Sequence, residues 1–419
     1  MHSVRRLIAV AAALSLVVTG SALAATGVNR SSKVTTISFW NAYSSDGPEV
    51  KRLDKVIIPQ FEKSHPGIKV QDVPIPYDSL HQKLVTAVAG GQLPDLVRSD
   101  IIWVPELANL GVLAPLDQEL RDFKSFQAKV FPGPLATNFW KGHYYGLPLD
   151  TNTRIWVYNP KTLAAIGASS PPKTFAQLQS MSAAAKAKGL YLYAESGTSG
   201  WNVLPWIWSG GGSLTNSTYT KATGYLNGPK SVAAVQMLVD LYKAGEMPGI
   251  IVDSNNGVGT YDGINQGKYI STLDGPWMFA IFGSAFKGTQ LAGTTVPAGP
   301  GGSVSVVGGE DIVLTKSSKN KAAAEQFLRF MLGPWAQNQM ARAGQMTVLK
   351  SLTKQLVKIH PYYSTYLKQI SNARPRTPTP KWPQIDQVLV TQVAKAFQGS
   401  ESVQQALTEA AQQIDGLLQ

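Results

Sequence analysis

Four tryptophans in this sequence stand beside glycine, proline and small polar residues, and not inside periodic apolar runs. A tryptophan in a loop at the end of a strand offers a broad flat face and one N–H donor. The apolar C–H face of a pyranose sugar can stack on such a ring, while nearby Asp, Asn and Glu side chains can bond the sugar hydroxyls. The four segments are Trp40-Asn41-Ala42-Tyr43, Gly200-Trp201-Asn202, Asp274-Gly275-Pro276-Trp277 and Pro380-Lys381-Trp382-Pro383.

Each of these rings also has a purely structural interpretation, as packing in a core or between two lobes, because aromatic side chains dominate protein cores. For any single tryptophan the sequence leaves both interpretations open. Four tryptophans in the same kind of context favour a cleft in which a sugar stacks. A site built on hydroxyl contacts would also reject ligands that lack those hydroxyls.

The elements that must position these rings alternate between strand and helix. Residues 34–40, 68–73 and 93–97 are predicted strands, and apolar residues at helical spacing lie between them. This β-α-β-α-β order predicts a largely parallel sheet covered by helices. A second unit of the same α/β class starts near Tyr145, and a chain of 419 residues exceeds the roughly 250–300 that one core supports.

Composition excludes several classes of protein. The sequence has no cysteine, which removes disulfides, thiolate metal sites, cysteine nucleophiles and a lipid-modified N-terminal cysteine. A hydrophobic share of 44% with only 15% charged residues indicates a packed globular protein. The net charge of +12 comes from scattered lysines and arginines, without the dense basic stripe that a nucleic-acid groove needs. We therefore predict a solvated basic surface and no nucleic-acid partner.

The common catalytic and cofactor motifs are absent. There is no G-x-x-x-x-G-K-[ST] loop and no G-x-G-x-x-G turn after a strand, which argues against a nucleotide cofactor. The segment Gly197-Thr198-Ser199-Gly200 lacks the G-x-S-x-G spacing of a nucleophile elbow. No two of the five histidines lie three or four residues apart, so no histidine metal site is indicated. The prediction is a protein with no cofactor, no metal and no catalytic residue.

Residues 1–24 have the pattern of a secretory signal peptide. Arg5 and Arg6 precede an apolar run over residues 7–18, and Ala22-Leu23-Ala24 forms an A-x-A cleavage signature. The run of 12 residues is shorter than the roughly 20 that a membrane-spanning helix needs. We predict an exported protein without a lipid anchor, in the periplasm or another extracytoplasmic space, whose mature chain carries a net charge of +10 from 36 basic and 26 acidic residues.

The sequence resembles the extracellular solute-binding proteins of ABC importers, specifically carbohydrate-binding family 1, which includes the maltose-binding proteins. The resemblance covers nearly the whole chain after the signal segment. Each motif is loose by itself, and their common order makes the match specific. The motifs are Ile37-Ser38-Phe39-Trp40, residues 61–70, residues 91–97, WVPELANLGVLAPL at 103–116, Tyr145-Gly146-Leu147-Pro148, Gly275-Pro276-Trp277, Gly308-Gly309 and the A-x-x-F-L-x-F pattern within 320–332.

The resemblance implies an α/β protein with the type II-like periplasmic-binding-protein fold, in which two interleaved lobes are joined by a multi-strand hinge. The implied N-terminal lobe is 33–150 plus 309–346, and the implied C-terminal lobe is 151–308 plus 347–419. Closure of the hinge would bury a mono- or oligosaccharide and present a composite surface to the permease subunits of an ABC importer. The expected protein is a monomer and not an enzyme.

The resemblance also implies ligand contacts, carried over position by position. At the first hinge crossing the maltose-binding members use glutamate, and this sequence departs from that pattern. The implied contacts are Trp40, Asn41 and Tyr43 after the first strand, Ser99 and Asp100 after the third, Asp150 or Asn152 at the first hinge crossing, Trp201, Asn202, Asp274 and Trp277 in the second lobe, Gly309 and Glu310 at the second crossing, and Arg376 and Trp382 in the proline-rich segment.

Two alternatives stay open at this point. An exported glycoside hydrolase would place paired carboxylates, for which Asp100 and Glu310 are candidates, roughly 5–10 Å apart in the cleft. A related importer component would bind another solute, such as a polyamine, a peptide or a phosphodiester. The positive net charge mildly favours an anionic solute.

Overall fold

The computed structural model describes residues 34–419, which form a mixed α/β protein with two main sheets. The predicted signal peptide, residues 1–24, lies outside the described residues. Within residues 34–419, no helix has both the length and the apolar character required to cross a membrane.

The strands of residues 34–419 are short, and most lie in two sheets. A six-stranded sheet has the order β12-β11-β3-β1-β2 with β6 beside β11, and a four-stranded sheet has the order β10-β7-β9-β8. The strands are β1 (Thr35–Asn41), β2 (Ile68–Pro74), β3 (Leu96–Asp100), β4 (Phe139–Trp140), β5 (His143–Tyr144), β6 (Gly146–Thr153), β7 (Ile155–Tyr158), β8 (Tyr191–Tyr193), β9 (Tyr269–Asp274), β10 (Ala292–Thr294), β11 (Ser305–Leu314) and β12 (Ala373–Arg374).

Helices separate most of these strands along the chain. A π-helical turn, Leu53–Ile57, joins the first two helices, and single 3-10 turns occur at Gly249–Ile251 and Lys350–Leu352. The α-helices are α1 (Pro48–Arg52), α2 (Ile58–Ser64), α3 (Tyr77–Gly90), α4 (Val104–Asn109), α5 (Leu116–Glu119), α6 (Phe123–Lys129), α7 (Pro132–Ala136), α8 (Pro160–Ala165), α9 (Phe175–Lys186), α10 (Gly200–Ser209), α11 (Pro229–Lys243), α12 (Thr260–Asn265), α13 (Trp277–Ala285), α14 (Lys321–Met331), α15 (Pro334–Arg342), α16 (Thr353–Ile359), α17 (Tyr363–Ile370), α18 (Trp382–Gln398) and α19 (Val403–Leu418).

The first three strands have the predicted parallel arrangement. Strand β1 pairs in parallel with both β2 and β3, and α3 fills the connection between β2 and β3. Strand β3 begins later than predicted, at Leu96, and the Asp95 carboxylate just before it accepts hydrogen bonds from the backbone N–H and the hydroxyl of Ser38. The strand also ends later than predicted, at Asp100, so Arg98 and Asp100 belong to the sheet.

Local signals in the sequence account for two helix ends. Helix α3 ends at Gly91, whose φ of 63° is the left-handed conformation that glycine adopts easily. Helix α9 begins after Thr174, whose hydroxyl accepts from the backbone N–H of Gln177 at 3.2 Å. Pro59 does not end the helix that contains it. It lies in the first turn of α2, directly after the π-helical turn, where a missing N–H is tolerated.

Each main sheet has its own apolar core. Around the six-stranded sheet, Phe327 packs edge-on against Phe39 and Phe61, with ring centroids 5.6 and 5.0 Å away. Beside the four-stranded sheet, the Trp156 and Trp206 side chains are fully buried. Truncation of a buried aromatic ring of this kind to alanine costs about 3–5 kcal/mol.

Two long antiparallel strands, β6 and β11, connect the two cores. Ser305 and Val306 at the start of β11 are buried on the side of the four-stranded sheet, whereas Ile312 and Leu314 at its end belong to the first core. The pairing of β6 with β11 shifts by one residue between Glu310 and Asp311. These strands are the observed multi-strand hinge of a two-lobed α/β fold.

The exact lobe boundaries, 33–150 plus 309–346 and 151–308 plus 347–419, stay a prediction. The buried core around the first sheet also contains Val348 and Leu349, which come after the predicted switch at residue 346. The first lobe comprises the elements packed on the six-stranded sheet, and the second lobe comprises those packed on the four-stranded sheet.

Candidate ligand-binding cleft

A cavity of about 520 Å³ opens where the carboxyl ends of β1, β2 and β3 face the hinge strands. In open α/β sheets, ligands bind at this end of parallel strands. The volume lies within the range of about 300–1,000 Å³ found for small-molecule sites. The residues that line this cleft are Ala42, Tyr43, Ser44, Glu49, Tyr77, Asp78, Arg98, Asp100, Ile102, Asn152, Ser199, Trp201, Trp277, Ile281, Gly308, Gly309, Glu310, Gln345, Arg376 and Asp386.

Two half-buried tryptophans of the second lobe form an aromatic wall. Trp201, at the start of α10, and Trp277, at the start of α13, have ring centroids 6.3 Å apart and planes inclined by 25°. The rings are therefore close to parallel, and together they offer a wide apolar surface to a flat ligand.

A chain of hydrogen bonds holds the Trp277 ring in place. Its Nε1–H donates to the Tyr261 hydroxyl at 3.1 Å, and that hydroxyl donates to Oδ2 of Asp274 at 2.6 Å. The other carboxylate oxygen of Asp274 accepts from the backbone N–H of Gly275 at 2.7 Å. Burial raises the pKa of Asp274 to about 6, although Tyr261 and the charge of Arg154 oppose the rise. Asp274 thus supports the wall from behind.

A buried ion pair holds the Trp201 segment. Arg154 donates to the Trp201 carbonyl at 2.9 Å, and its guanidinium lies 5.5 Å from the centre of the Trp201 ring. The same arginine bonds both carboxylate oxygens of Glu195, at 3.0 and 2.8 Å. Asn202 donates to Glu195 at 2.7 Å, so it belongs to this supporting network.

Arg98 occupies the floor of the cleft and is almost completely buried. Its Nη2 lies 3.1 Å from Oδ2 of Asp150 and 2.7 Å from Oε2 of Glu310, and its guanidinium lies 4.2 Å from the centre of the Tyr43 ring. Burial raises the pKa of Glu310 well above its usual range, against the lowering effect of Arg98, and the neighbouring Asp150 raises it further.

A second arginine links the two lobes. Arg376 lies 5.4 Å from the centre of the Trp201 ring, and its Nη2 donates to Oδ1 of Asp100 at 3.2 Å. The other oxygen of Asp100 accepts from the Tyr77 hydroxyl at 2.8 Å. Asp100 belongs to β3 of the first lobe, so this ion pair crosses the cleft.

Several buried polar atoms of the cleft have no hydrogen-bond partner among residues 34–419. An unpaired buried donor or acceptor costs about 1–3 kcal/mol. A ligand with hydroxyl groups would satisfy both kinds of atom, since a hydroxyl donates and accepts. The unpaired donors are Nε of Arg98 and Nε of Arg376, and the unpaired acceptors are Oδ1 of Asn152 and Oε1 of Gln345.

Comparison with known proteins identifies the family. The profile of the family described as bacterial extracellular solute-binding protein matches residues 44–338. The chain belongs to this family. A relative from Brucella abortus (strain 2308), named only as a binding protein, is 24% identical over 385 residues, which are 89% of this chain and 90% of the relative. The sn-glycerol-3-phosphate-binding periplasmic protein UgpB of Salmonella typhimurium is 27% identical over 248 residues, 56% of this chain and 53% of UgpB.

Solved structures share the two-lobed fold of this solute-binding protein. An ABC transporter solute-binding protein from Thermotoga lettingae, bound with alpha-D-tagatose, matches 92% of this chain and 100% of its own, with a TM-score of 0.83 and 24% identity. The GacH receptor of Streptomyces glaucescens, solved unliganded and with acarbose, matches 92% of this chain and 98% of its own, with a TM-score of 0.83 and 23% identity. These matches confirm the expected α/β fold.

The cleft brings together eight of the fifteen residues that the sequence of this solute-binding protein predicted as ligand contacts. They come from both lobes and from both hinge strands. Contact with a ligand stays a prediction for each of them. The eight are Tyr43, Asp100, Asn152, Trp201, Trp277, Gly309, Glu310 and Arg376.

The structure places the other seven away from the cleft wall. Asp150, Asn202 and Asp274 lie behind it and hold wall residues, as described above. Asn41 is fully buried because β1 points it away from the cleft, where it donates to Asp72 at 2.6 Å and accepts from the Tyr43 N–H. Ser99, also fully buried, points away from the neighbouring Asp100 along β3.

Two predicted tryptophan platforms are not in the cleft. Trp382 is fully buried in the core of the second lobe as the first residue of α18, so its ring packs and offers no face to a ligand. Trp40 is half-buried and lines a separate groove beside the cleft.

Sequence reasoning missed several residues that line the cleft. Arg98 had a usable signal, because a charged residue in the apolar strand β3 must have a buried partner. Tyr77 and Asp78 begin α3 just after the carboxyl end of β2, and ligands commonly bind at this end of parallel strands. Glu49 had no such signal, since its 2.6 Å contact with Gln345 joins residues far apart in the chain. The missed residues are Ala42, Ser44, Glu49, Tyr77, Asp78, Arg98, Ile102, Ser199, Ile281, Gly308, Gln345 and Asp386.

Proposed function

We propose that this solute-binding protein captures a mono- or oligosaccharide in the cleft and delivers it to the permease of an ABC importer. It acts as a monomer outside the cytoplasmic membrane, without a lipid anchor or a cofactor. The observation that carries the proposal is the aromatic wall of Trp201 and Trp277 beside buried, unpaired donors and acceptors. A pyranose presents both surfaces that this arrangement needs, an apolar face and a rim of hydroxyls.

The charge of the cleft argues against an anionic solute, although the whole chain is basic. Only two arginines line the cleft, and both already contact carboxylates. A bound phosphate would lie among five lining carboxyl groups, whose negative charge repels an anion. A glycerol phosphate, the ligand named for UgpB, therefore fits the cleft less well than a neutral sugar does. The carboxyl groups among the lining residues are those of Glu49, Asp78, Asp100, Glu310 and Asp386.

The same carboxyl groups favour a polyamine as the second candidate. Against this candidate, Nε–H of Arg98 and Nε–H of Arg376 are buried donors without an acceptor. A protonated amine offers no lone pair and would leave both donors unpaired, whereas a sugar hydroxyl accepts. The two arginines therefore favour a sugar over a polyamine.

The proposed activity is binding and not catalysis. The family is one of binding proteins. The two carboxylates that a hydrolase would use are both engaged, Asp100 with Arg376 and Tyr77, and Glu310 with Arg98. Transport instead needs a ligand that binds the closed state more tightly than the open state, so that binding shifts the population of the two.

A thermal-shift screen tests the proposal directly. Purified mature protein is heated with a panel of mono- and oligosaccharides and, separately, with spermidine, a tripeptide and sn-glycerol 3-phosphate. A ligand that binds the native state raises the unfolding temperature. A shift with at least one saccharide is expected. A shift with a non-sugar solute and none with any saccharide would overturn the sugar assignment, and release of reducing ends from an oligosaccharide would favour a hydrolase.

Substitution of a tryptophan in the aromatic wall tests the proposed sugar binding more specifically than the thermal-shift screen does. We predict that Trp277→Ala weakens saccharide binding more than roughly tenfold, or about 1.4 kcal/mol, because it removes the stacking face. Calorimetric titration measures the affinity, and circular dichroism checks the fold. Trp335→Ala is the matched control, since Trp335 on α15 is 41% exposed and is not among the lining residues. Equal affinity of both variants would show that the Trp277 ring only packs.

A further inference from the structure

A second groove, with a volume of about 700 Å³, adjoins the cleft on the first lobe. Its walls are one face of α3 and the ring of Trp40 at the end of β1. Asp78 lines both cavities, so the groove lies directly beside the cleft. We refer to it as the outer groove, lined mainly by Trp40, Asp78, Ser79, Gln82, Lys83 and Thr86.

The outer groove contains the same kinds of groups as the cleft, namely an aromatic ring and polar side chains. Trp40 is half-buried, and Nζ of Lys83 lies 4.7 Å from the centre of its ring. Ser79, Gln82 and Thr86 are exposed and follow one another at helical spacing, so they project from one face of α3. The groove thus combines one flat aromatic surface with a row of hydroxyl and amide groups.

Charge in the outer groove is balanced. Asp78 and Lys83 are the two ionised side chains among its lining residues, and they have opposite signs. A strongly charged occupant would gain little from this pair, whereas a neutral polyhydroxylated chain can bond both groups. Because the groove adjoins the cleft at Asp78, an occupant that reaches both must be long enough to pass this side chain.

We propose that the outer groove is an additional saccharide subsite, which binds the sugar units of an oligosaccharide that extend beyond the cleft. One of these units displaces the exposed Lys83 ammonium from the face of Trp40 and stacks there, and Gln82 and Lys83 bond its hydroxyls. This inference rests on the proposed function and deepens it, since it assigns an oligosaccharide and not a monosaccharide as the preferred ligand. It also gives Trp40 a role outside the cleft.

Affinity as a function of chain length tests the subsite. Wild type, Trp40→Ala and Trp277→Ala are titrated calorimetrically with two linear series, maltose to maltoheptaose and cellobiose to celloheptaose. In wild type, affinity should rise with chain length in the series that binds. Trp40→Ala should lose roughly tenfold in affinity for the longer members and leave the shortest binder unchanged. Trp277→Ala should lose affinity for every member.

Trp40 also packs against the core near β3, so Trp40→Ala could destabilise the fold. Two further variants therefore test the subsite with a smaller change in packing. Trp40→Phe keeps an aromatic face and should retain the dependence on chain length. Gln82→Ala changes only an exposed side chain of α3 and should lose affinity for the longer sugars alone. Circular dichroism and thermal unfolding verify that each variant is folded.

The outcomes separate this inference from the proposed function. Affinity in wild type that does not change with chain length would overturn the outer subsite and leave the sugar cleft intact. A Trp40→Ala defect of equal size for short and long sugars would also overturn it, because the ring would then act only through the cleft. Wild type that binds no saccharide of either series or of the thermal-shift panel would overturn the proposed function itself.

Discussion

At the scale of single residues, the candidate site depends on side chains that never touch the cleft. Trp277 is held through Tyr261 by Asp274, and Trp201 is held by Arg154. Such indirect support is necessary because a stacking ring that rotates freely would lose side-chain entropy on each binding event. Asn41 has a similar role, since its carbonyl oxygen accepts from the Tyr43 N–H and orients the loop after β1.

Asp72, the partner of Asn41, should make stability depend on pH. Burial, together with the charge of Asp54, raises the pKa of Asp72 from 3.8 to about 7. The folded chain therefore binds this proton more tightly than the unfolded chain, and the free energy of unfolding falls as pH rises from about 4 to about 7. Asp72→Asn keeps an oxygen acceptor for Asn41 and removes the ionisable carboxyl group. The free energy of unfolding of this variant, relative to wild type, should therefore increase between pH of about 4 and about 7 and stay constant above that.

Urea denaturation of both proteins at several pH values between about 4 and 9 measures this difference. Asp262→Asn replaces an exposed carboxylate in α12 and serves as the matched control, which should follow wild type. Stability curves of wild type and Asp72→Asn that run parallel over the whole range would contradict the prediction.

At the scale of elements, the shift in pairing between β6 and β11 determines which carboxylate reaches the cleft. Consecutive strand residues point to opposite faces. Glu310 therefore lines the cleft, whereas Asp311 is fully buried on the other side, where its carboxylate accepts from Asn138 at 2.7 Å. A register one residue different would exchange the two side chains and remove Glu310 from Arg98.

Gly309 is the residue on which this arrangement depends most. Its φ is 140°, and a Cβ atom there would lie 2.6 Å from the Asp150 carbonyl oxygen and 2.9 Å from the Thr151 Cα. We expect Gly309→Ala to lower the free energy of unfolding by about 1–3 kcal/mol and to weaken sugar binding, because the backbone of both hinge strands must move. Gly133→Ala, where a Cβ meets no atom within 4 Å, is the control. Urea denaturation measures the free energy of unfolding of both variants. An unchanged value for Gly309→Ala would contradict the prediction, because the hinge strands would then accommodate the methyl group without strain.

At the scale of the whole molecule, the ion pair of Arg376 with Asp100 connects the two lobes across the cleft. If the lobes close around a ligand, the radius of gyration should fall when a saccharide saturates the protein. Arg376→Ala should raise the radius of gyration of the ligand-free protein, since it removes this connection. Small-angle scattering measures both quantities, with Trp335→Ala as a variant that should match wild type. Equal values with and without a bound sugar would contradict hinge closure.

The distribution of charge is also a property of the whole molecule. The chain is basic, yet carboxyl groups outnumber guanidinium groups in the cleft. The net charge therefore describes the outer surface and gives no information about the ligand. The mild preference for an anionic solute came from the total charge of the sequence. The excess of carboxyl groups in the cleft disfavours an anionic solute.

The sequence by itself determined the alternation of strands and helices, the family, and several of the segments that line the cleft. These features depend on local patterns, such as the cap at Gly91 and the apolar run of β1, which neighbouring residues set without reference to the fold. Trp201 and Trp277 were among the predicted contacts, but their position at the start of a helix does not distinguish them from Trp382, which also begins a helix.

Only the tertiary structure decided which side chains face the cleft. Trp382 and Trp277 stand in similar local contexts, yet one lies in a core and the other in the wall. The contact of Glu49 with Gln345 joins residues 296 positions apart, and the pairing of β6 with β11 sets the position of Glu310. The physical reason is that the environment of a side chain depends on strand register and on elements distant in the chain, and local sequence does not contain this information.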